Sequence, residues 1–190
     1  MPESVRQLLT ALKTVLVLTV VLGVLYPLLV LGLGRLGLTH QADGSLITVD
    51  GRVVGSQLIG QAFDGDQWFQ PRPSAADYDA QASGGSNAGP NDRELVTSIQ
   101  KRRTTIARRD GVPPADVPAD AVTASGSGLD PNITPAYAEL QVDRVARVRG
   151  LPADRVRLLV QQHTTGRTLG FLGEPRVNVV ELNLALQGLR

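Results

Sequence analysis

The run from Thr14 to Gly34, TVLVLTVVLGVLYPLLVLGLG, carries no charged residue, and fourteen of its positions are Leu or Val. As a helix it extends about 31 Å at 1.5 Å per residue, close to the hydrocarbon thickness of a bilayer. Its leucines and valines favour insertion by roughly 4–8 kcal/mol. Gly23, Tyr26, Pro27 and two threonines subtract from that sum without reversing it. A proline is compatible with a span, because transmembrane helices tolerate it as a local kink. The run is longer than a secretory signal core, and GRLGLTHQAD after it offers no clean cleavage site, so the expectation is an uncleaved anchor. Arg6 and Lys13 precede the run and only Arg35 follows it closely, which places the amino terminus in the cytoplasm. The expected organisation is a cytoplasmic tail 1–13, a transmembrane helix 14–34 in the cell membrane, and one extracytoplasmic domain 35–190.

A formal charge of +1 gives no global pull toward nucleic acid, so no such partner is expected. The absence of Cys excludes disulfides, zinc–thiolate sites and thiol catalysis together. The exported part is large enough to be held by its core alone. SLITVDGRVVGSQLIG alternates apolar and polar residues around Asp50-Gly51, which predicts a hairpin with strands 46–49 and 52–54. The following AFDGDQWFQPRPSAADYDAQASGGSNAGPN has neither a helical nor a strand period. So long an irregular segment must be functional or firmly packed. Its aromatics, Phe63, Trp68, Phe69 and Tyr78, are expected to pin it to the core.

Leu95, Ile99 and Ile106 recur at helical spacing after a cap at Asn91 or Asp92, with Gly111 as the stop. The other face of that helix carries Lys101, Arg102, Arg103, Arg108 and Arg109, a solvated face or a contact for anionic lipid or an acidic partner. Within it, Lys101, Arg102 and Arg103 are the candidate partner contact. VPADAVTASGSGLDPNITP is a second small-residue stretch. Thr134 then caps a helix opened by Pro135 and closed by Gly150, and Pro152 starts another bearing Val156, Leu159, Val160 and His163 on one face. A short apolar strand or turn and a terminal apolar helix complete an α+β domain.

Chemistry is sparse. His40 reads as an interface residue and His163 as a core histidine. Ser125, Ser127 and Asp130 lack the G-x-S-x-G elbow of a hydrolase. Asp64 and Asp66 are too few for a calcium loop. No catalytic or metal site is expected. SGGSNAGPN, from Ser83 to Asn91, has the glycines and the following helix start that suit an anion. The lysine of the pattern G-x-x-x-x-G-K-[ST] is missing, so on its residues it reads as a structural loop.

One span followed in order by GSQLIGQAF, WFQPRPSA, SGGSNAGPN, VTASGSGLDPNITP, QVDRVARVRG and FLGEPRVNVVELNLAL resembles the C-subunit family of the bacterial Kdp potassium-transporting P-type ATPase. The likeness covers almost all of the chain. It implies an accessory, non-catalytic role in assembly and stability of the pump, with the potassium-translocating and ATP-hydrolysing subunits as partners. It further implies a catalytic-chaperone role that raises ATP affinity through a transient complex, this chain binding no cofactor alone. The nucleotide contact would then fall on Ser83, Gly84, Gly85, Ser86 and Asn87. These expectations conflict in one respect, since an exported loop cannot reach cytoplasmic ATP in the assembled pump. Without the resemblance, a membrane-anchored extracytoplasmic sensor or binding domain is the alternative.

Overall fold

The computed structural model describes residues 2–189. The chain forms two compact units, one up to Leu46 and one from Ile47 onward. In the first, a helix of 35 residues runs without a break from Glu3 to Gly37. It therefore starts upstream of the apolar run and ends beyond Arg35, a length of about 52 Å. None of its residues is buried within the chain. Its stretch 14–34 is uncharged and unburied, and an apolar helix with no protein face to cover it is one that a membrane can receive. It has three parts, α1 (Glu3–Val20), a π-helical turn (Val21–Leu25) and α2 (Tyr26–Gly37). Pro27 explains the turn. It has no N–H, and its ring would collide with the Gly23 carbonyl in a regular α-helix. The wider turn, in which the Tyr26 N–H reaches back to the Val21 carbonyl, relieves that collision. A one-turn helix α3 (Thr39–Ala42) follows.

The second unit is mixed helix and sheet, as the patterning predicts. Strands β1 (Leu46–Val49) and β2 (Arg52–Ser56) form the expected hairpin, the second reaching two residues further than its alternation suggests. Its turn residues Asp50 and Gly51 both have positive φ, 49° and 75°, the geometry that makes Asp-Gly a hairpin signal. Helix α4 (Arg93–Asp110) is capped by Asp92, whose carboxylate accepts from the N–H groups of Glu94 and Leu95. The second small-residue stretch is more ordered than its composition suggests. A 3₁₀ turn (Pro114–Asp116) leads into it, and it holds the short helix α5 (Ala119–Val122) and strand β3 (Asn132–Ile133). Ala121 and Val122 are buried where α5 meets α4, so tertiary packing decides what propensity leaves open.

Thr134 caps α6 (Pro135–Arg149), α7 (Ala153–Gln162) starts after Pro152, and Asn178 caps the terminal α8 (Val179–Gln187). Strands β4 (Thr164–Thr165) and β5 (Arg176–Asn178) complete a three-stranded antiparallel sheet in the order β3-β5-β4. Its register pairs Ile133 and Thr164 with opposite sides of Val177. Val177 is fully buried beside Val142, Val145, Val156, Leu182 and Leu186, so α6, α7, α8 and the central strand share one core.

The irregular segment from Ala62 to Asn91 is held to this core by side chains. Phe69 is fully buried, and Phe63 and Trp68 pack against the cluster from its edge. Asn183 on α8 accepts from the Phe69 N–H and donates to the Phe69 carbonyl, both at 2.9 Å. Gln141 on α6 does the same to Gln70, at 2.7 and 3.1 Å. Arg144, one turn along α6, donates to the carbonyls of Asp66 and Trp68, to Gln141 Oε1 at 2.8 Å and to Asp110 Oδ1 at 2.5 Å. Both members of the Arg144–Asp110 pair are buried. Removing the cation leaves the buried carboxylate only the longer Arg109 contact at 3.4 Å, and breaking such a buried pair costs about 3–5 kcal/mol. Arg144→Met should therefore lower stability by that amount in denaturant titrations of the full chain in detergent. Replacing Asp110 by Asn in the same chain should recover part of the loss.

Candidate functional site

The two small-residue stretches clasp each other. The Gly84 N–H and the Ser83 hydroxyl both donate to the Ser127 carbonyl, at 2.8 and 3.0 Å. The Ser125 N–H donates to the Pro73 carbonyl at 3.0 Å. Ser74 organises the crossing: its hydroxyl donates to the Gly128 carbonyl at 2.7 Å and accepts from the N–H groups of Ala76 and Tyr78. The approach is close enough to exclude side chains. A Cβ on Gly128, which has φ of 70°, would lie 2.8 Å from both the Gly84 carbonyl oxygen and the Ala76 methyl. A Cβ on Gly85 would lie 2.9 Å from the Gly126 carbonyl oxygen.

Charges and a phenol brace the clasp. Arg72 pairs with Asp130 at 3.0 Å, and the other Asp130 oxygen accepts from the Asn132 backbone and side-chain N–H groups. The Tyr78 hydroxyl donates to the Arg72 carbonyl. Burial, reinforced by the Asp130 charge, raises the Tyr78 phenol above its ordinary value. Beyond the clasp, Asp120 accepts from the backbone N–H and hydroxyl of Thr134, fixing the start of α6.

Of the residues singled out as a nucleotide loop, Ser83 and Gly84 thus direct their donors at Ser127. Gly84 and Gly85 are half-buried, while Ser86 and Asn87 are exposed, Asn87 with φ of 51°. Asp92, just beyond the loop, caps α4. The hydroxyls of Ser125 and Ser127 lie 3.4 Å apart. His163 ends α7 with Nδ1 2.9 Å from the Leu159 carbonyl oxygen. Among the described residues, no group of three or more His, Cys, Asp or Glu side chains could hold a metal ion.

The basic run of α4 divides. Lys101 is exposed, and Arg102 donates to the Val122 carbonyl at 3.1 Å. These two line a groove with Arg109. Arg103 is half-buried and is not part of that lining. Sequence reasoning passed over Arg72, Ser74 and Tyr137, which matter to the clasp and to this groove. The only hint was the compact run PRPSA, whose Ser74 can form local turns with the N–H groups that follow it.

A profile of the family described as "KdpC: K+-transporting ATPase, c chain" matches residues 8–188. The chain belongs to the KdpC family. A "Potassium-transporting ATPase KdpC subunit" from Kineococcus radiotolerans is 56% identical over 184 residues, covering 96% of this chain and 93% of the relative. One of the same description from Gemmatimonas aurantiaca is 55% identical over 187 residues, covering 97% and 94%. Another, from Mycobacterium tuberculosis, is 50% identical over 188 residues, covering 97% and 99%. The KdpC match takes in both the long apolar helix and the clasped domain.

Two outcomes test this geometry. Gly128→Ala forces a methyl into the crossing at positive φ and should cost about 1–3 kcal/mol. Limited proteolysis should then cut first between residues 83 and 91. The Tyr78 phenol keeps its proton in the fold at a pH where the unfolded chain loses it. Its stabilisation is therefore complete below about pH 10 and falls as the pH rises further. Denaturation midpoints should decline through that range, and less steeply in Tyr78→Phe.

Proposed function

We propose that this chain is the C subunit of a potassium-transporting ATPase, a non-catalytic component that serves assembly and stability of the pump. The near-complete match to KdpC relatives carries this reading. Its partners are the potassium-translocating and ATP-hydrolysing subunits, and the Glu3–Gly37 helix anchors it in the cell membrane beside them. Arg6 and Lys13 hold the amino terminus in the cytoplasm, so the domain from Ile47 onward lies outside.

With that orientation, any effect on ATP affinity is a coupling free energy carried through the partners, typically about 1–3 kcal/mol. The loop Ser83–Asn87 then acts as part of the clasp and as a surface for a neighbouring subunit, not as a nucleotide cradle. In support, Ser83 and Gly84 turn their donors to Ser127, and Ser86 and Asn87 are exposed.

The cysteine-free sequence makes the test direct. Ser86→Cys, carried in the assembled pump in intact cells, is treated with a membrane-impermeant maleimide, with Glu3→Cys as the inside control. Labelling at 86 and not at 3 is expected. Labelling at 86 only after the cells are broken would reverse the orientation and restore direct ATP contact by Ser83–Asn87 as the leading account. Loss of the chain from purified pump would remove the subunit reading itself.

A further inference from the structure

The groove beside α4 has a volume of about 500 Å³ and gathers Lys101, Arg102 and Arg109 with no carboxylate in its lining. Arg109 meets Asp110 Oδ2 at 3.4 Å through Nε and Nη2 while Arg144 takes Oδ1 at 2.5 Å, so one buried carboxylate serves both guanidiniums. Arg102 is fixed by the Val122 carbonyl through Nη1, which orients its guanidinium. Three cations thus share one concavity, and the carboxylate that meets Arg109, Asp110, is divided between it and Arg144. Such a site focuses a positive potential on whatever enters it.

Tyr137 stands at the same wall. Its side chain is buried and its oxygen accepts from Arg109 Nη2 at 3.4 Å, which helps hold that guanidinium at the wall. Burial holds that phenol in its protonated form, raising it above its ordinary value against the lowering effect of Arg109. The hydroxyl of Thr105 is turned to the Lys101 carbonyl and does not compete. Pro71, Pro73 and Ile106 supply apolar walls. The groove is larger than a bare oxyanion needs, and its volume lies in the range of small-molecule sites.

From this combination we infer that the groove binds a phosphate ester, its phosphate held by Lys101, Arg102 and Arg109 and its organic part against Pro71, Pro73 and Ile106. Guanidinium forks suit the several oxygens of a phosphate, and three cations match its charge better than that of a single carboxylate. A phospholipid headgroup and a free phosphate ester present the same chemistry. The inference is independent of the pump assignment. It seats a phosphate ester in a groove at Lys101 and Arg102, where the sequence leaves a solvated face or a contact for anionic lipid or an acidic partner.

The test uses the full chain in a neutral detergent and two probes, dihexanoyl phosphatidylglycerol and glycerol 3-phosphate, titrated by calorimetry. Lys101→Glu alters an exposed side chain, so the fold is retained. Arg109→Gln is the second variant. Arg108→Glu, exposed on the same helix but outside the groove, makes the same charge change as Lys101→Glu. Saturable binding of at least one probe is expected, weakened about tenfold by Lys101→Glu and by Arg109→Gln and less than twofold by Arg108→Glu. Binding of the lipid alone identifies a headgroup site, whereas equal binding of both probes identifies a site for the phosphate itself. Equal weakening by Lys101→Glu and Arg108→Glu would mean diffuse electrostatics and overturn the inference. So would no saturable binding of either probe, including the case in which Lys101→Glu impairs only association with a partner subunit.

Discussion

The buried pair of Arg144 and Asp110 ties together parts of the domain that secondary structure does not join. Asp110 closes α4, Arg144 lies on α6, its Nη1 reaches the carbonyls of Asp66 and Trp68 and its Nη2 reaches Gln141. Gln141, one turn away on α6, and Asn183 on α8 continue the same work, each completing both backbone groups of one loop residue. Buried backbone groups need partners, and here side chains supply them where no strand is available. The clasp between the small-residue stretches depends on this. Pro73 and Ser74, which receive the second stretch, stand only a few residues beyond the anchored Phe69 and Gln70.

Much of this architecture is legible in the sequence because its signals are local. The Asp-Gly hairpin and the Asp92 and Thr134 caps each follow from residues within one turn or one hairpin, and the anchor follows from one uninterrupted uncharged run. The aromatic residues of the irregular segment declare that it must be packed. Its mode of attachment is hidden, because Asn183 lies 114 residues from Phe69 and Gln141 lies 71 from Gln70. Nothing in a lone Gln or Asn on a helix announces the backbone it will complete.

The candidate site shows the same division. The glycines of SGGSN suggest an anion loop, yet the Ser83 and Gly84 donors meet a carbonyl supplied from residue 127. The basic face of α4 is visible as a stripe, but only the fold separates Arg103 from the concavity shared by Lys101, Arg102 and Arg109. Tyr137 and the two prolines that finish that concavity come from elements remote in sequence. Family membership, in contrast, follows from the order of several short runs and needs no fold at all.

The wide turn at Val21–Leu25 has a consequence for the neighbours of the long helix. One extra residue in a turn advances every later side chain by about 100° around the axis. The stripe facing one direction along Glu3–Val20 is therefore not continued along Tyr26–Gly37. A straight partner helix could follow one half or the other, but not both with the same face. In a bundle, this single helix is suited to two different companions, one for each half of its length.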